Sequence, residues 1–181
     1  MKIKSAQVNR YRLQPEKYAT ATSIYAELDG MPKKAQHFRM VDITGKKEVF
    51  REAVAIGRIK LKPSTIMLIK KGKVEKGNPL AAAEIAAVLA AKNTSQLIPF
   101  CHSIPLTSVQ TKAKINDSGV EVEALVRTKA GTGVEMEALS AATAYLLTVW
   151  DVVKKYEKDA QGQYPETAIE YVKVKEKMKG S

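Results

Sequence analysis

Apolar and polar residues alternate in four segments of the chain, and this period of two is typical of strands with one buried face. The first segment begins at Arg51, and its alternation shifts phase at Gly57, which suggests a strand with a bulge. Residues 106–115 and 119–128 alternate on either side of a polar turn, so they predict a β-hairpin. A last strand is predicted at about residues 168–175.

Segments of helical composition separate these strands. Asn78 and Pro79 precede LAAAEIAAVLAAKN, whose alanine and leucine content predicts a helix. This helix is apolar almost all round, so it should be buried on more than one side, either under the sheet or against another subunit. A second long helix is predicted at about residues 134–157, and residues 64–70 predict one or two helical turns.

The order strand, helix, strand, strand, helix, strand predicts an α+β fold of the ferredoxin-like type. In this split βαβ arrangement an antiparallel sheet carries both helices on one face. Residues 1–36 are polar and end in a linker-like break, so they predict an N-terminal arm of unknown function. Residues 37–181 form the predicted domain.

Composition narrows the class of protein. The chain has 181 residues, 45% of them hydrophobic, which is enough for one core. Its net charge of +11 favours anionic partners, which are nucleic acid, an acidic surface or a phosphorylated small molecule. Aromatic residues make up only 6% and do not alternate with basic ones, which disfavours nucleic acid. The lysine clusters at 70–76 and 173–179 are better interpreted as solvated faces than as binding sites.

Localisation follows from what the sequence lacks. We find no apolar run that we expect to span a bilayer, and the first residues lack the apolar core of a signal peptide. A single cysteine, Cys101, excludes an internal disulfide framework. These features predict a cytoplasmic protein without a membrane partner.

The segment LIPFCHSIP, residues 97–105, is the first candidate for chemistry. Its two prolines predict a stiff, non-helical turn. Neighbouring side chains of extended backbone point to opposite sides, so Cys101 is better interpreted as a small buried hydrophobe than as a nucleophile paired with His102. His102 itself is compatible with a structural or a catalytic role.

Carboxylates at the start of the second helix form another candidate. Glu135 and Glu137 follow the glycines of GTGVEMEAL, where free backbone N–H groups favour anions. Complementing the helix macrodipole is an equally good explanation for both acids.

Two more candidate sites for chemistry are the far end of the same helix and a lysine-rich turn. Asp151 lies three residues before Lys154 and four before Lys155, so either lysine can lie beside it, as in an ordinary surface ion pair. Lys76 lies in KKGKVEKGN, where it could reach a phosphate or donate a proton, although a solvated loop lysine is the default interpretation.

Taken in order, three stretches resemble the signature sequences of the cyclic pyranopterin monophosphate synthases, a MoaC-like family. They are MVDITGKKEVFREAVAIGRIKL, KGNPLAAAEIAAVLAAKNTSQLIPFCH and GTGVEMEALSAATAYLLTVWDVVKK. The resemblance covers about residues 40–177. It implies a lyase of molybdenum cofactor biosynthesis that converts (8S)-3′,8-cyclo-7,8-dihydroguanosine 5′-triphosphate to cyclic pyranopterin monophosphate and pyrophosphate. It also implies a ferredoxin-like subunit in a homohexamer, a trimer of dimers with active sites at subunit interfaces.

The resemblance also implies site residues. The catalytic set is Asp151, Lys154, Lys76, His102, Glu135 and Glu137. The substrate-binding set is Phe100, Cys101, His102, Met136, Glu137, Lys46, Arg51 and Lys177. We expect no metal ligands among them and no tightly bound cofactor, although Mg²⁺ can accompany the triphosphate.

Three features depart from the family pattern. Asn78 and Pro79 stand where the family usually has an aspartate, VKVKEKMKGS replaces a glycine-rich tail, and the N-terminal arm is longer than usual. The alternative function is a basic ferredoxin-like RNA-binding or scaffolding module, which would bind oligonucleotides in a salt-sensitive way and would not need Glu135, Glu137 or Asp151.

Overall fold

A computed structural model describes residues 39–181, so the predicted arm, residues 1–36, lies outside the described residues. The elements in chain order are β1 (Val49–Lys60), α1 (Pro63–Lys70), α2 (Pro79–Lys92), α3 (Thr94–Leu97), β2 (Leu106–Ile115), β3 (Gly119–Ala130), α4 (Glu135–Glu157) and β4 (Ala168–Lys179). The predicted strands and helices are confirmed, and only the one-turn helix α3 is new.

The four strands form one antiparallel sheet in the order β2-β3-β1-β4. α4 packs on β1, β3 and β4, and α2 packs on α4 and β2. This is the split βαβ arrangement, and the predicted ferredoxin-like α+β fold is confirmed.

The core lies between the sheet and α4. On β1 the buried face carries Ala53, Ala55 and Ile59, and α4 contributes large side chains that include Tyr145 and Leu146. Small side chains on β1 leave room for large ones on the helix, so the two surfaces interdigitate. On α2 the alanines at 83, 87 and 91 are buried with a spacing of four, which brings α2 close to α4.

The bulge predicted at Gly57 is wrong. β1 pairs with β3 without interruption through this residue. A Cβ atom at Gly57 would lie 2.8 Å from Leu146 Cδ1 and 3.1 Å from the carbonyl oxygen of Tyr171. Glycine is needed here because α4 and β4 come too close for a side chain.

The irregularities lie in β4 instead. Ala55 pairs with Val174, but Ala53 pairs with Lys177, so three residues of β4 match two of β1. A bulge at this point reverses the alternation of the strand. Lys173 and Lys175 therefore face the sheet surface that carries no helix, whereas Lys177 and Lys179 face the α4 side.

The prediction that no segment is apolar enough to span a bilayer is wrong for α4. Within residues 39–181, it is the helix that passes this test by length and hydropathy. Nine of its residues are nevertheless buried against the rest of the domain. It is the central helix of a folded core, and the test carries little weight for such a helix.

A buried carboxylate joins the end of α4 to two other elements. Glu157 is fully buried, and both its oxygens accept from the backbone N–H of Lys62 at 3.2 Å. The hydroxyl of Thr167, just before β4, donates to the same carboxylate. Lys62 is the N-cap of α1 and has no side-chain cap of its own, so Glu157 supplies the acceptor that this helix start lacks.

We expect the substitution Glu157→Gln to lower the free energy of unfolding by about 1–3 kcal/mol, because it leaves buried donors without one of their acceptors. Urea unfolding followed by circular dichroism measures the change. Glu176→Gln, at an exposed position of β4, is the control. Equal stability of the two variants would contradict the role assigned to Glu157.

Candidate active site

A cavity of about 700 Å³ lies at the start of α4. Its walls come from the turn before β1, the loop between α3 and β2, the first turn of α4 and the inner face of β4. The lining residues are Arg39, Val41, Ile43, Lys46, Phe100, Cys101, His102, Thr132, Gly133, Glu135, Met136, Glu137, Val174 and Lys177. Charged and apolar groups are both present, so the cavity suits a ligand with a flat ring and an anionic part.

His102 is oriented by the backbone of the turn before β1. Its Nε2 atom lies 2.7 Å from the carbonyl oxygen of Val41, which can only accept a hydrogen bond. Nε2 therefore carries a proton and donates it, and Nδ1 is the nitrogen that can accept one. A fixed tautomer of this kind suits general base chemistry.

Glu135 forms an ion pair across the cavity. Its carboxylate lies 2.8 Å from Nζ of Lys177. Partial burial acts to raise the pKa of Glu135, but the hydrogen bond from Lys177, a bond from its own backbone N–H and the charge of Arg51 together lower it below its ordinary value. A Cβ atom at Gly133 would overlap this carboxylate, so the glycine leaves the space in which Glu135 lies.

The surroundings of Glu137 change its pKa in the opposite direction from that of Glu135. It is buried, with 5% of its surface exposed, and no ion pair reaches it within residues 39–181. Burial, and then the negative charge of Glu135, raise its pKa above the ordinary value. Two neighbouring carboxyl groups with pKa values pushed apart can act as proton acceptor and proton donor in one cavity.

Cys101 belongs to the same environment. Burial, and then the charge of Glu137, raise the pKa of its thiol, so the thiolate is disfavoured. This agrees with the prediction that Cys101 is not a nucleophile.

A second group of charged residues lies at the other end of α4. Asp151 Oδ1 lies 2.6 Å from Nζ of Lys154, and Oδ2 lies 3.1 Å from Nζ of Lys76. The Lys154 hydrogen bond, followed by that of Lys76, lowers the pKa of Asp151, and Asp151 in turn raises the pKa of Lys154. At neutral pH this arrangement holds Asp151 as a carboxylate and Lys154 as an ammonium group.

The loop that carries Lys76 is fixed on α4. Glu75 forms an ion pair with Lys155, and its backbone N–H donates to the hydroxyl of Tyr156 at 3.0 Å. Of the two lysines that could lie beside Asp151, Lys154 does so, while Lys155 holds the loop.

One chain does not bring all the predicted site residues together. Eight of them line the cavity, which are Lys46, Phe100, Cys101, His102, Glu135, Met136, Glu137 and Lys177. Arg51 lines two smaller clefts beside it. Lys76, Asp151 and Lys154 form the second group. A helix rises 1.5 Å per residue, so Asp151 lies about 21 Å along α4 from Glu137.

Comparison with known proteins decides the family. The model of the MoaC family matches residues 40–180. A probable cyclic pyranopterin monophosphate synthase of Pyrococcus furiosus is 54% identical over 141 residues, which cover 78% of this chain and 90% of the relative. Relatives with the same name are 55% identical in Aeropyrum pernix (78% of this chain, 97% of the relative) and 51% identical in Sulfolobus acidocaldarius (77% and 98%). The chain belongs to the MoaC family.

Asn78, one of the departures from the MoaC family pattern, has a structural role in this chain. Asn78 is the N-cap of α2, and its side-chain oxygen accepts from the backbone N–H groups of Leu80 and Ala81 at 2.9 and 3.3 Å. Aspartate and asparagine are equally good N-caps, so the substitution preserves the start of the helix.

Six residues that line the cavity of this MoaC family member are not in the predicted site set, and three of them belong to the turn before β1. Arg39, Val41 and Ile43 line the cavity because the turn before β1 lies against His102. The stretch MVDITGKK was part of the resemblance, but only contact between the turn and the loop reveals which of its residues face the cavity. In residues 39–181 no group of three His, Cys, Asp or Glu residues could hold a metal ion.

We expect Cys101 to react slowly with iodoacetamide, with a half-maximal rate at a pH above the ordinary thiol pKa. Glu137→Gln removes one of the two causes, so it should shift that pH downward. Mass spectrometry across a pH series measures the rate on the chain's single cysteine. Glu170→Gln, on β4, should leave the profile unchanged, and an unshifted profile for Glu137→Gln would contradict the assigned proximity.

Proposed function

We propose that this chain is a cyclic pyranopterin monophosphate synthase, a lyase that acts on the cyclised guanosine triphosphate derivative in molybdenum cofactor biosynthesis. The observation that carries the proposal is the cavity in which His102, Glu135 and Glu137 lie with a ring of cations. Similarity to relatives that bear this name supports it.

The reaction requires both proton transfer and stabilisation of negative charge. A cyclic phosphate forms when a hydroxyl oxygen of the substrate bonds to the α-phosphorus. The bond from that phosphorus to the bridging oxygen of the β-phosphate breaks, and pyrophosphate leaves with the electron pair. The hydroxyl proton passes to a base, and cations offset the charge that develops on the leaving group.

Residues of the cavity can fill these roles. Lys46 and Lys177 supply positive charge close to the carboxylates, and Arg51 lies beside them. His102 Nδ1 is free of the bond to Val41 and can accept a proton, and the buried Glu137, whose pKa is raised by burial, can donate one. Phe100 and Met136 offer apolar surface for the ring system.

We assign the principal proton transfers of the ring rearrangement to Asp151 and Lys154. Their short ion pair prepares an acceptor and a donor side by side, and Lys76 holds the second oxygen of the carboxylate. Rearrangement of the purine-derived ring needs both kinds of group.

We further propose that a complete site contains the cavity of one chain and the Asp151 group of another. The separation of about 21 Å along α4 is too large for one small substrate to contact both groups in one chain. Exposed apolar residues on the outer faces of the helices support subunit contact, namely Ile85, Val88, Leu89, Leu97 and Leu147. A homohexamer built as a trimer of dimers is the assembly that we propose.

The proposal includes no resident cofactor. Mg²⁺ would arrive with the triphosphate as part of the substrate. We place the enzyme in the cytoplasm.

The substitution Asp151→Asn should lower turnover by more than about tenfold, because it removes the proton acceptor but preserves the shape of the side chain. The assay mixes the protein with the cyclised nucleotide and measures pyrophosphate together with the fluorescent oxidised pterin. Asp117→Asn is a matched control, since Asp117 also pairs with a lysine at an exposed position. Wild-type protein that gives no product but binds oligonucleotides in a salt-sensitive way would support the RNA-binding alternative instead.

Two inactive variants should restore activity when they are co-expressed in equal amounts. If each site takes Glu137 from one chain and Asp151 from another, Glu137→Gln and Asp151→Asn chains together give about one quarter of wild-type activity. Asp151→Asn with Lys154→Ala cannot complement, because both changes affect the same group. Light scattering reports the assembly, and a monomer with full activity would contradict the composite site.

A further inference from the structure

The loop between α4 and β4, residues 158–167, is held by hydrogen bonds at its base and at its tip. At the base, the hydroxyl of Thr167 donates to the buried carboxylate of Glu157, the last residue of α4. At the tip, the backbone N–H of Asp159 donates to the carbonyl oxygen of Gln163 at 2.9 Å. The side chain of Asp159 accepts from the backbone N–H of Gln163 at 2.7 Å. A loop with these internal bonds presents the residues that follow its tip in a fixed position.

Tyr164, in this loop, packs against Trp150 of α4. Their ring centroids lie 5.8 Å apart and their planes meet at 79°, which is the edge-to-face arrangement that aromatic pairs prefer. Pro165 follows Tyr164, and a residue before proline is restricted to extended backbone. Trp150 in turn packs against the buried core. The ring of Tyr164 is therefore tied to the rigid part of the domain.

This aromatic pair lies beside the Asp151 group. Trp150 and Lys154 are four residues apart on α4, so their side chains are neighbours on one face of the helix. On the same helix, Asp151 binds Nζ of Lys154 at 2.6 Å, and Lys76 reaches the other oxygen of Asp151 from the loop before α2. The hydrogen bond and the charge of Asp151 raise the pKa of Lys154, and the negative charge of ionised Tyr164 adds to this effect. Tyr164 is thus a near neighbour of the Lys154 ammonium group.

The ion pair alone is a weak restraint on Lys154. The side chain of Lys154 is 47% exposed and that of Asp151 is 57% exposed. Water screens the attraction between such exposed charges, and holding a long side chain in one geometry costs entropy. Lysine stems pack along apolar surface while their ammonium groups stay in water. The aromatic pair offers a surface of this kind, and it blocks rotamers that lead away from Asp151.

We propose that Tyr164 is a positioning residue for Lys154: its ring, held on Trp150 by the closed loop between α4 and β4, keeps the ammonium group of Lys154 against Asp151. This inference rests on the proposed function, which assigns the principal proton transfers to Asp151 and Lys154. A proton donor must be held within hydrogen-bond reach of its target, so the loop contributes to the reaction through Lys154 and not through contact with the substrate.

Turnover of the cyclised nucleotide by the full-length protein tests the proposal. Tyr164→Leu removes the ring and should lower kcat by about tenfold while KM stays within about twofold, because the proton donor loses its position but no substrate contact is lost. Tyr164→Phe keeps the ring and should hold kcat within about threefold of wild type. Tyr171→Leu is the matched control, since Nζ of Lys173 likewise lies 5.4 Å from the centroid of that ring, on β4. It should change neither constant.

The pKa of Lys154 is a second readout that needs no turnover. Acetic anhydride reacts with the unprotonated amine, so the rate at which Lys154 is labelled across a pH series, measured by mass spectrometry of its peptide, reports this pKa. Both Tyr164 variants lose the phenol, so the pH of half-maximal labelling should fall in both. It should fall further in Tyr164→Leu, where Lys154 also leaves Asp151. Tyr171→Leu should leave the profile unchanged.

Three results would overturn the proposal: wild-type kcat in Tyr164→Leu, a raised KM at constant kcat, or a labelling profile of Lys154 equal to that of wild type. If circular dichroism shows that Tyr164→Leu does not fold, an unshifted profile in Tyr164→Phe overturns it as well. Failure of the proposed function is recognised separately. Wild-type protein that does not convert the cyclised nucleotide, but whose Lys154 labelling depends on Tyr164, would refute the synthase activity and leave the positioning role standing.

Discussion

Packing of α4 against the sheet and α2 fixes the positions of the candidate residues at its two ends. The contact depends on small side chains, because Gly57 on β1 and the buried alanines of α2 let the helix approach from both sides. α4 is one continuous helix that rises 1.5 Å per residue, so its two ends lie far from each other. Glu137 at one end of α4 and Asp151 at the other therefore stay apart within one chain.

Charge is distributed unevenly over the domain. On the sheet surface that carries no helix, several cations are paired with carboxylates, as in the ion pairs of Arg127 with Glu52 and of Lys175 with Glu123. Around the cavity, and between the beginning of β1 and the end of β4, the cationic side chains outnumber the Asp and Glu side chains. Excess charge is costly for a folded protein and is retained where a ligand offsets it. The net charge of +11 is thus partly a property of one end of the sheet.

Much of the fold could be predicted from the sequence, because alternation and alanine-rich segments reflect local preferences. The hairpin and both long helices could be predicted from such patterns. The contacts within the candidate site could not be predicted from local sequence patterns. The ion pair between Lys177 and Glu135 and the contact of Val41 with His102 join residues that are far apart in sequence. The role of Gly57 was misjudged because close approach of a helix leaves no periodic signal in the strand itself.

Because of the bulge in β4, the number of residues between Val174 and Lys177 determines which lysines face the cavity. Val172 and Val174 belong to the interior by the ordinary alternation, and the one additional residue before Lys177 redirects everything that follows. Deleting a single residue between 174 and 177 would leave the hydrophobic half of the strand in place. It would also carry the ammonium groups of Lys177 and Lys179 through the plane of the sheet, so a relative that keeps every lysine but lacks this residue would present them to the wrong side.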